Sequence, residues 1–431
     1  MPIQKEPTIT RESCWYTGER FRINVFKLIG IIIIYQSITA IFLRDNDFLW
    51  HYNHGKYFLQ NDLIKHTGAP NTVGRLMMDA ILGIQNYYIA RTFSFVLALI
   101  ALVSSLKMWI HMANENRHVS KPIAFAASVF SLGLLIHFVL RDLDDCGLQV
   151  FLLYFFTSAA YAIRSGRQIL GGFWLGVAAT YKATPLLFLP FLIWKRKWQA
   201  ALWMLIFIIF LNLTPAVFIG WESTINSNLQ WLKRTQLDFK VQDPSHPTSF
   251  ETPRHQNQSL PFAIARYLQT YPPGHALYID HPLFFQFGKL KTTTANYVVK
   301  SFLLIFAGVL AWCFRHPWPK EPKRDAFLSE WASVMILSAL LSPLNWIYHY
   351  VLALPAVLLI IRVHLHMHFM PRWRSIVLGV IAFKILLLHR FFLGHDLSII
   401  MLSYKLDTFA MLLVMMLVLT IPDEKINLLK L

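Results

Sequence analysis

The chain has 431 residues, 55% hydrophobic and only 15% charged, with 40 Lys and Arg against 23 Asp and Glu. A soluble domain carries about 25% charged residues, so the composition excludes an ordinary soluble fold and marks a polytopic, all-α membrane protein. The formal charge of +17 then reports which side of a membrane the loops occupy rather than a nucleic-acid surface.

The first 23 residues are polar and basic and lack a short apolar core, so they read as a tail rather than a cleavable signal peptide. Apolar segments follow at 24–43, 91–112, 121–140, 146–163, 168–181, 184–194, 199–219, 297–314, 328–345, 347–362, 374–392 and 406–421, about twelve candidate spans in a membrane domain over 24–422. The fifth and sixth are short and meet at Lys182 and Pro185, which allows either two short helices or one broken one. Residues 423–431 form a second tail.

With the N-terminus inside, the short inner loops hold Arg117, Lys121, Arg164, Arg167, Lys195, Arg196, Lys197, Arg315, Lys320, Lys323, Arg324, Arg362, Arg372 and Arg374. The short outer loops hold Arg141, Lys182 and Arg390. This bias places both termini in the cytoplasm. Two outer loops are long. The first, 44–90, contains YFLQNDLIKH, which fits an interfacial helix with Tyr57, Leu59, Leu63 and Ile64 on one side. The second, 220–296, is rich in aromatic residues and reads as an ordered cap.

Five polar clusters fall on this outer face: RDND at 44–47, RDLDDCGLQ at 141–149, TYKATP at 180–185, NQS at 257–259 and SPLNWIYHY at 342–350. Titratable groups close to a bilayer are costly and tend to be paired or functional. Asp47 suits either a general base or a helix cap, because a carboxylate partly withdrawn from water holds a proton more tightly. Lys182 is either a phosphate-binding point charge or a snorkelling lysine. Asn257, Gln258 and Ser259 can hydrogen-bond a sugar or a phosphate, fill a loop, or form an Asn-x-Ser glycosylation acceptor. His349 is either a donor to a leaving phosphate or structural. Arg141, Asp142, Asp144 and Asp145 read as a charge network pinning a loop, with Gln149 below it facing the pocket.

Cys14, Cys146 and Cys313 have no paired spacing, so neither a disulfide framework nor a zinc site is expected. His364, His366 and His368 alternate, which splits them between helix faces, and they fall on the inner side; no metal is expected there.

Four stretches resemble glycosyltransferase family 87, membrane enzymes of the GT-C class. They are DFLWHY at 47–52, the block from LQVFLLYFF through TYKATPLLFLPFLIWKRKW, NQSLPFAIARYL from Asn257, and SPLNWIYHYVLALPA from Ser342. The departures are Phe151 where Asn is expected, Asn345 where Ser precedes the Trp, and Tyr348 in place of the first His of a pair. The resemblance implies a GT-C fold and transfer of a sugar, mannose or arabinofuranose, from a polyprenyl-phosphate donor to a lipid-linked or cell-envelope glycan. It implies Asp47 as general base with Asp45 as the fallback. It also implies donor contacts from Lys182, Asn257, Gln258, Ser259, His349, Gln149 and Tyr52. Phosphate is a competent leaving group, so no metal or other cofactor is expected, and the partners are the donor, the acceptor and membrane lipid. The rival class is a secondary transporter or flippase of lipid-linked sugars, which needs charges near mid-membrane. The lysines within the spans, Lys107, Lys300, Lys384 and Lys405, lie mostly near their ends.

Overall fold

The computed structural model describes residues 15–43, 47–61, 72–115, 119–234, 256–269, 288–318, 326–367 and 370–421. Every regular element among them is helical, apart from one isolated bridge between Gln269 and Leu290. Five helices are long and apolar enough to cross a bilayer: Glu19–Leu43, Tyr87–Asn114, Trp198–Ile219, Thr292–Cys313 and Ile347–His366. Two bent pairs, Lys121–Leu134 with Ile136–Asp144 and Arg372–Leu387 with Arg390–Ser403, raise the count to seven. Four shorter apolar helices, Leu148–Arg164, Thr184–Trp194, Ala326–Leu340 and Leu406–Leu419, together with helix Gln168–Tyr181, fill the remaining apolar segments. The chain is a multi-pass membrane protein.

Burial sorts these helices into centre and rim. Ile347–His366 is 89% buried across its apolar window, whereas Thr292–Cys313 is 11% buried. Without a lipid phase the rim helices would strand apolar side chains such as Leu304, Ile305 and Trp312, all exposed; in a bilayer those faces meet acyl chains. The centre is closed by aromatic packing: the Phe156, Phe188 and Trp331 rings stack at 4.7 and 4.8 Å, and Trp331 Nε1 donates to the Phe156 carbonyl.

Helix Gln168–Tyr181 packs against Trp198–Leu213 through Gly172 and Gly176. A Cβ on Gly172 would lie 2.7 Å from the Ala200 carbonyl and the Trp203 Cβ, and one on Gly176 would lie 2.6 Å from the Phe207 Cβ. Only hydrogen fits there, the small-xxx-small device by which helices in lipid gain contact without a hydrophobic driving force.

Basic residues cap helix C-termini at one end of the bundle. Arg362 donates to the Ala113 carbonyl, Arg374 to the Leu417 and Thr420 carbonyls, and Lys195 to the Phe314 and His316 carbonyls. Each satisfies carbonyls that a terminating helix leaves without partners and complements the negative end of its dipole. Lys195 also pairs with Glu330 at 2.6 Å.

The opposite end holds the polar clusters. The first outer segment differs from its expected form: its helix is Asp47–Leu59, starting ten residues before YFLQNDLIKH, and Leu63 and Ile64 lie outside the described residues. It packs against a second helix, Val73–Gly83, where a Cβ on Gly55 would overlap the Asp79 carbonyl. The close crossing brings Asp79 up to this helix, which a purely interfacial helix would not do. The second bent pair also departs from the sequence reading: past residue 392 the helix Arg390–Ser403 continues to Ser403, kinked at Gly394 with φ 73° and turned by 93° from Arg372–Leu387. Within the large outer loop, helices Trp221–Arg234 and Leu260–Leu268 are described.

Candidate active site

Helix Gln168–Tyr181 ends because Lys182 is extended, with φ −153° and ψ 142°, and a 3₁₀ turn over Thr184–Leu187 follows with Pro185 inside it. Pro cannot donate into a preceding turn, so the break at Lys182 is written locally. The half-buried Lys182 ammonium lies 3.3 Å from His349 Nε2 and 3.4 Å from Gln149 Oε1. Burial pushes its pKa down to about 7; Asp142 and Asp47 pull it back up and Arg75 adds to the fall.

His349 belongs to a 3₁₀ turn, Ile347–Ala353, at the start of the central span. Its Nδ1 meets Asn345 Oδ1 at 3.1 Å, which assigns the proton to Nδ1 and leaves Nε2 facing the lysine. Asn345 is itself fixed. Its N–H donates to Asn257 Oδ1, its Nδ2 to the Gln258 carbonyl, and its carbonyl accepts from Gln258 N–H. The Gln258 carbonyl also accepts from Tyr350 and Thr408.

The neighbouring residue, Tyr348, points its hydroxyl at the other key group: Tyr348 Oη donates to Asp47 Oδ2 at 2.5 Å. The Tyr348 and His349 rings are 4.9 Å apart and nearly perpendicular. Two consecutive residues of one turn therefore join the acid and the base in a single cluster, Asp47 exposed at its mouth and Lys182 deeper.

Around Asp47 the charges are arranged in a ring. Its N–H donates to Asp145 Oδ1 at 3.1 Å. Arg141 lies 3.5 Å from Asp145 and 3.9 Å from Asp144, and its guanidinium is 5.7 Å from the Tyr348 ring centroid. Burial pushes Asp145 up to about 7, Arg141 opposing and Asp47 adding to the rise. Asp142 accepts from the N–H groups of Gln149 and Val150 at 2.9 Å, an anion on the first turn of helix Leu148–Arg164.

A second charged group adjoins this cluster. Asp79 accepts from Arg75 Nε at 2.7 Å and pairs with His51 Nδ1 at 2.8 Å. The Arg75 guanidinium lies 3.4 Å from the Tyr181 ring centroid, one residue before Lys182.

Of the residues singled out in the sequence, Asp47, Lys182, Gln149 and His349 are brought together. Asn257 and Gln258 are buried and spend their polar groups on the scaffold: Asn257 Nδ2 donates to the Pro343 carbonyl and Gln258 Nε2 to the Leu402 carbonyl. Ser259 is buried at the N-cap of helix Leu260–Leu268. Tyr52 is buried beside Tyr87 and its hydroxyl donates to the Gln85 carbonyl, so it supports the fold rather than joining the polar cluster. Asp45 lies outside the described residues. Sequence reasoning did not select Tyr348, Asn345, His51, Arg75 or Asp79 as site residues; the first two lie in the SPLNWIYHY cluster and His51 in DFLWHY, and the signal for the last two was the Arg75–Asp79 i, i+4 spacing in a stretch read as loop.

A half-buried cation and an exposed carboxylate in one cluster of hydrogen-bonding side chains suit an anionic substrate with hydroxyl groups. The family model of glycosyltransferase family 87 matches residues 76–343, well over half of the chain. The chain belongs to glycosyltransferase family 87. It is a membrane glycosyltransferase. No curated protein and no solved structure matches it. The family 87 match takes in Asp79, Asp142, Gln149, Lys182 and Asn257–Ser259, and it ends before Tyr348 and His349 and begins after Asp47.

Proposed function

We propose that this family 87 enzyme transfers a sugar, mannose or arabinofuranose, from a polyprenyl-phosphate donor to a lipid-linked or cell-envelope glycan, with Asp47 as general base and Lys182 on the phosphate. The observation that carries this reading is the Tyr348–His349 bridge, which puts a carboxylate and a cation on one cluster. The Arg and Lys distribution supports a site on the extracytoplasmic side of the plasma membrane with both termini inside. Nucleotide sugars are not supplied in that compartment, in keeping with a lipid-linked donor.

The acceptor oxygen attacks the anomeric carbon and its proton passes to Asp47. The bond between that carbon and the phosphate oxygen breaks, and the electron pair leaves with the polyprenyl phosphate. The donor is a phosphodiester with one negative charge; the leaving phosphate monoester gains a second. Lys182 is placed to stabilise that growing charge more than the ground state, which is what lowers a barrier. Attack from the face opposite the leaving group inverts the anomeric centre. The reaction draws on no cofactor, because phosphate leaves without further activation.

The test is turnover of a panel of polyprenyl-phosphate sugars by the purified protein in lipid vesicles, with glycolipid acceptors. At least one donor is cleaved, and Asp47→Asn lowers kcat by about 10²–10⁴-fold, the range a general base supplies, while the protein stays folded. If Asp47→Asn turns over at the wild-type rate, the base is Asp45 or absent. If no polyprenyl-phosphate sugar is cleaved, the donor assignment fails.

A further inference from the structure

His51 is one helical turn beyond Asp47 on helix Asp47–Leu59, and side chains at i and i+4 share a face with Cβ atoms about 5–6 Å apart. Its ring is oriented from behind. Asp79 Oδ2 lies 2.8 Å from Nδ1 and Asp79 Oδ1 is held by Arg75. Arg75 Nη2 also approaches His51 Nδ1 at 3.1 Å, but two lone pairs cannot face each other across the shorter Asp79 contact, so Nδ1 carries the proton. Burial and the Arg75 charge lower the pKa of His51, with Asp79 and Asp47 opposing, so the ring is neutral near pH 7. Nε2 is then a hydrogen-bond acceptor, and no described residue occupies it. The side chain is 12% exposed, against 3% for Asp79, so the supporting carboxylate is shut in and the imidazole reaches the surface.

A carboxylate fixing a histidine tautomer, with the second nitrogen open, is an arrangement for taking a hydrogen bond from a substrate hydroxyl. The lysine side of the cluster is where the donor phosphate is placed, and His51 lies on the helix of the base. The group it meets therefore belongs to the acceptor. We infer that His51 selects the acceptor: its Nε2 accepts a hydrogen bond from the hydroxyl adjacent to the one Asp47 deprotonates, so the acceptor that fits carries a vicinal diol. This inference rests on the transferase reading above, with Asp47 as base. His51 positions the nucleophile and exchanges no proton with it.

The test uses the full chain in lipid vesicles with whichever polyprenyl-phosphate sugar it cleaves, and methyl α-mannopyranoside with its four monodeoxy forms as acceptor probes. Transfer and hydrolysis by water are measured in the same reaction. Among the deoxy forms that keep the reacting hydroxyl, wild type prefers the parent glycoside over one by about tenfold or more, since a site built to bond a hydroxyl rejects the analogue lacking it. His51→Ala loses that preference, and its ratio of transfer to hydrolysis falls by a similar factor. His51→Gln, whose amide oxygen can accept the same bond, restores part of both. A residue with a merely structural role would lower transfer and hydrolysis in parallel and leave the deoxy preference intact, which overturns the inference. Equal treatment of the parent and every deoxy form that keeps the reacting hydroxyl, or transfer to none, also overturns it, while continued hydrolysis of the donor leaves the transferase reading standing. Cleavage of no donor at all counts against both.

Discussion

The charge state of Lys182 makes a prediction that follows from its surroundings. Its pKa falls from 10.5 to about 7, a difference worth about 5 kcal/mol at 1.36 kcal/mol per unit. The sign follows from the depressed value. Between about pH 7 and 10.5 the unfolded chain holds the proton and the folded chain does not, so this lysine makes folding less favourable as pH falls through that window and adds no further cost below it. Neutralising it therefore should not unfold the protein. Donor binding has the opposite demand, because a phosphodiester stays monoanionic across this range and needs the ammonium. If only the protonated form binds well, apparent affinity scales with its fraction, which drops about 25-fold between pH 6.5 and 8.5 for a group titrating near 7. The assay is equilibrium binding of a radiolabelled short-chain polyprenyl-phosphate sugar to the protein in lipid nanodiscs over that range. Lys182→Met binds weakly at every pH, near the level wild type reaches at pH 8.5. Lys182→Arg binds with much less dependence on pH. Asp145, pushed up to about 7 by burial, titrates in the same window and, by becoming neutral at low pH, also favours an anion there. A slope that survives Lys182→Arg belongs to Asp145 and disappears in Asp145→Asn. Wild-type affinity and slope in Lys182→Met would refute the phosphate role.

Three further outcomes follow from the packing. Tyr348→Phe removes the hydroxyl that donates to Asp47; a hydrogen bond to a charged group is worth about 1.5–3 kcal/mol, so kcat falls roughly tenfold or more with donor affinity little changed, read from steady-state kinetics. Gly172→Leu forces a side chain against the Ala200 carbonyl and Trp203, separates the two helices and sharply reduces folded protein in size-exclusion profiles, whereas Gly133→Leu, facing open space, does not. Arg362→Met strips a buried cap from the end of helix Tyr87–Asn114; thermal unfolding in detergent should register a loss of about 1–3 kcal/mol, with catalysis of the remaining folded enzyme intact.

Much of the helical layout was legible because spans in lipid are long apolar runs with polar ends. The breaks at Lys182 and between residues 340 and 347 follow from Pro185 and Pro343 near them. The bends were less legible: Leu135 lies between Gly133 and His137 with no proline near it, and Leu388 is followed by His389 and Arg390, which read as the polar end of a span rather than as a bend. The segment 47–83 was misread for a related reason. Its two helices bury His54, Arg75 and Asp79 between them and neighbouring elements, and a sequence containing so many polar groups has the composition of a loop. The partners of Arg75 are Asp79 four residues on and His51 twenty-four residues back. The first is visible as spacing; the second depends on Gly55 letting the helices touch. In the site, residue types pointed correctly to Asp47, Lys182, Gln149 and His349 as neighbours. The same reasoning left Asn257, Gln258 and Ser259 open between ligand contact and loop filler, because hydrogen-bonding capacity reads identically whether it is spent on a substrate or, as Asn257 and Gln258 spend part of theirs, on the backbone of Pro343 and Leu402.

Tyr348, which stands where the family resemblance leads one to expect the first histidine of a pair in the SPLNWIYHY stretch, illustrates the limits of motif reading. As a motif it is a loss, since one of two imidazoles is missing. In the fold the position has one evident task, to present a hydrogen-bond donor to Asp47 from a side chain whose ring is buried. A phenol does this as well as an imidazole N–H, and unlike an imidazole it has no second ring nitrogen and stays neutral through the physiological range. Tyrosine therefore spares Asp47 a titrating neighbour while supplying the contact that orients it. His349 cannot be exchanged in the same way, because it must accept from Lys182 on one side while donating to Asn345 on the other. A hydroxyl carries both functions on one oxygen and cannot present them from opposite sides of a ring, as Nε2 at 3.3 Å from Lys182 and Nδ1 at 3.1 Å from Asn345 do. The two positions thus tolerate different chemistry for a reason set by their partners: Asp47 asks only for a donor, whereas the pair Lys182 and Asn345 asks for a rigid group with one of each.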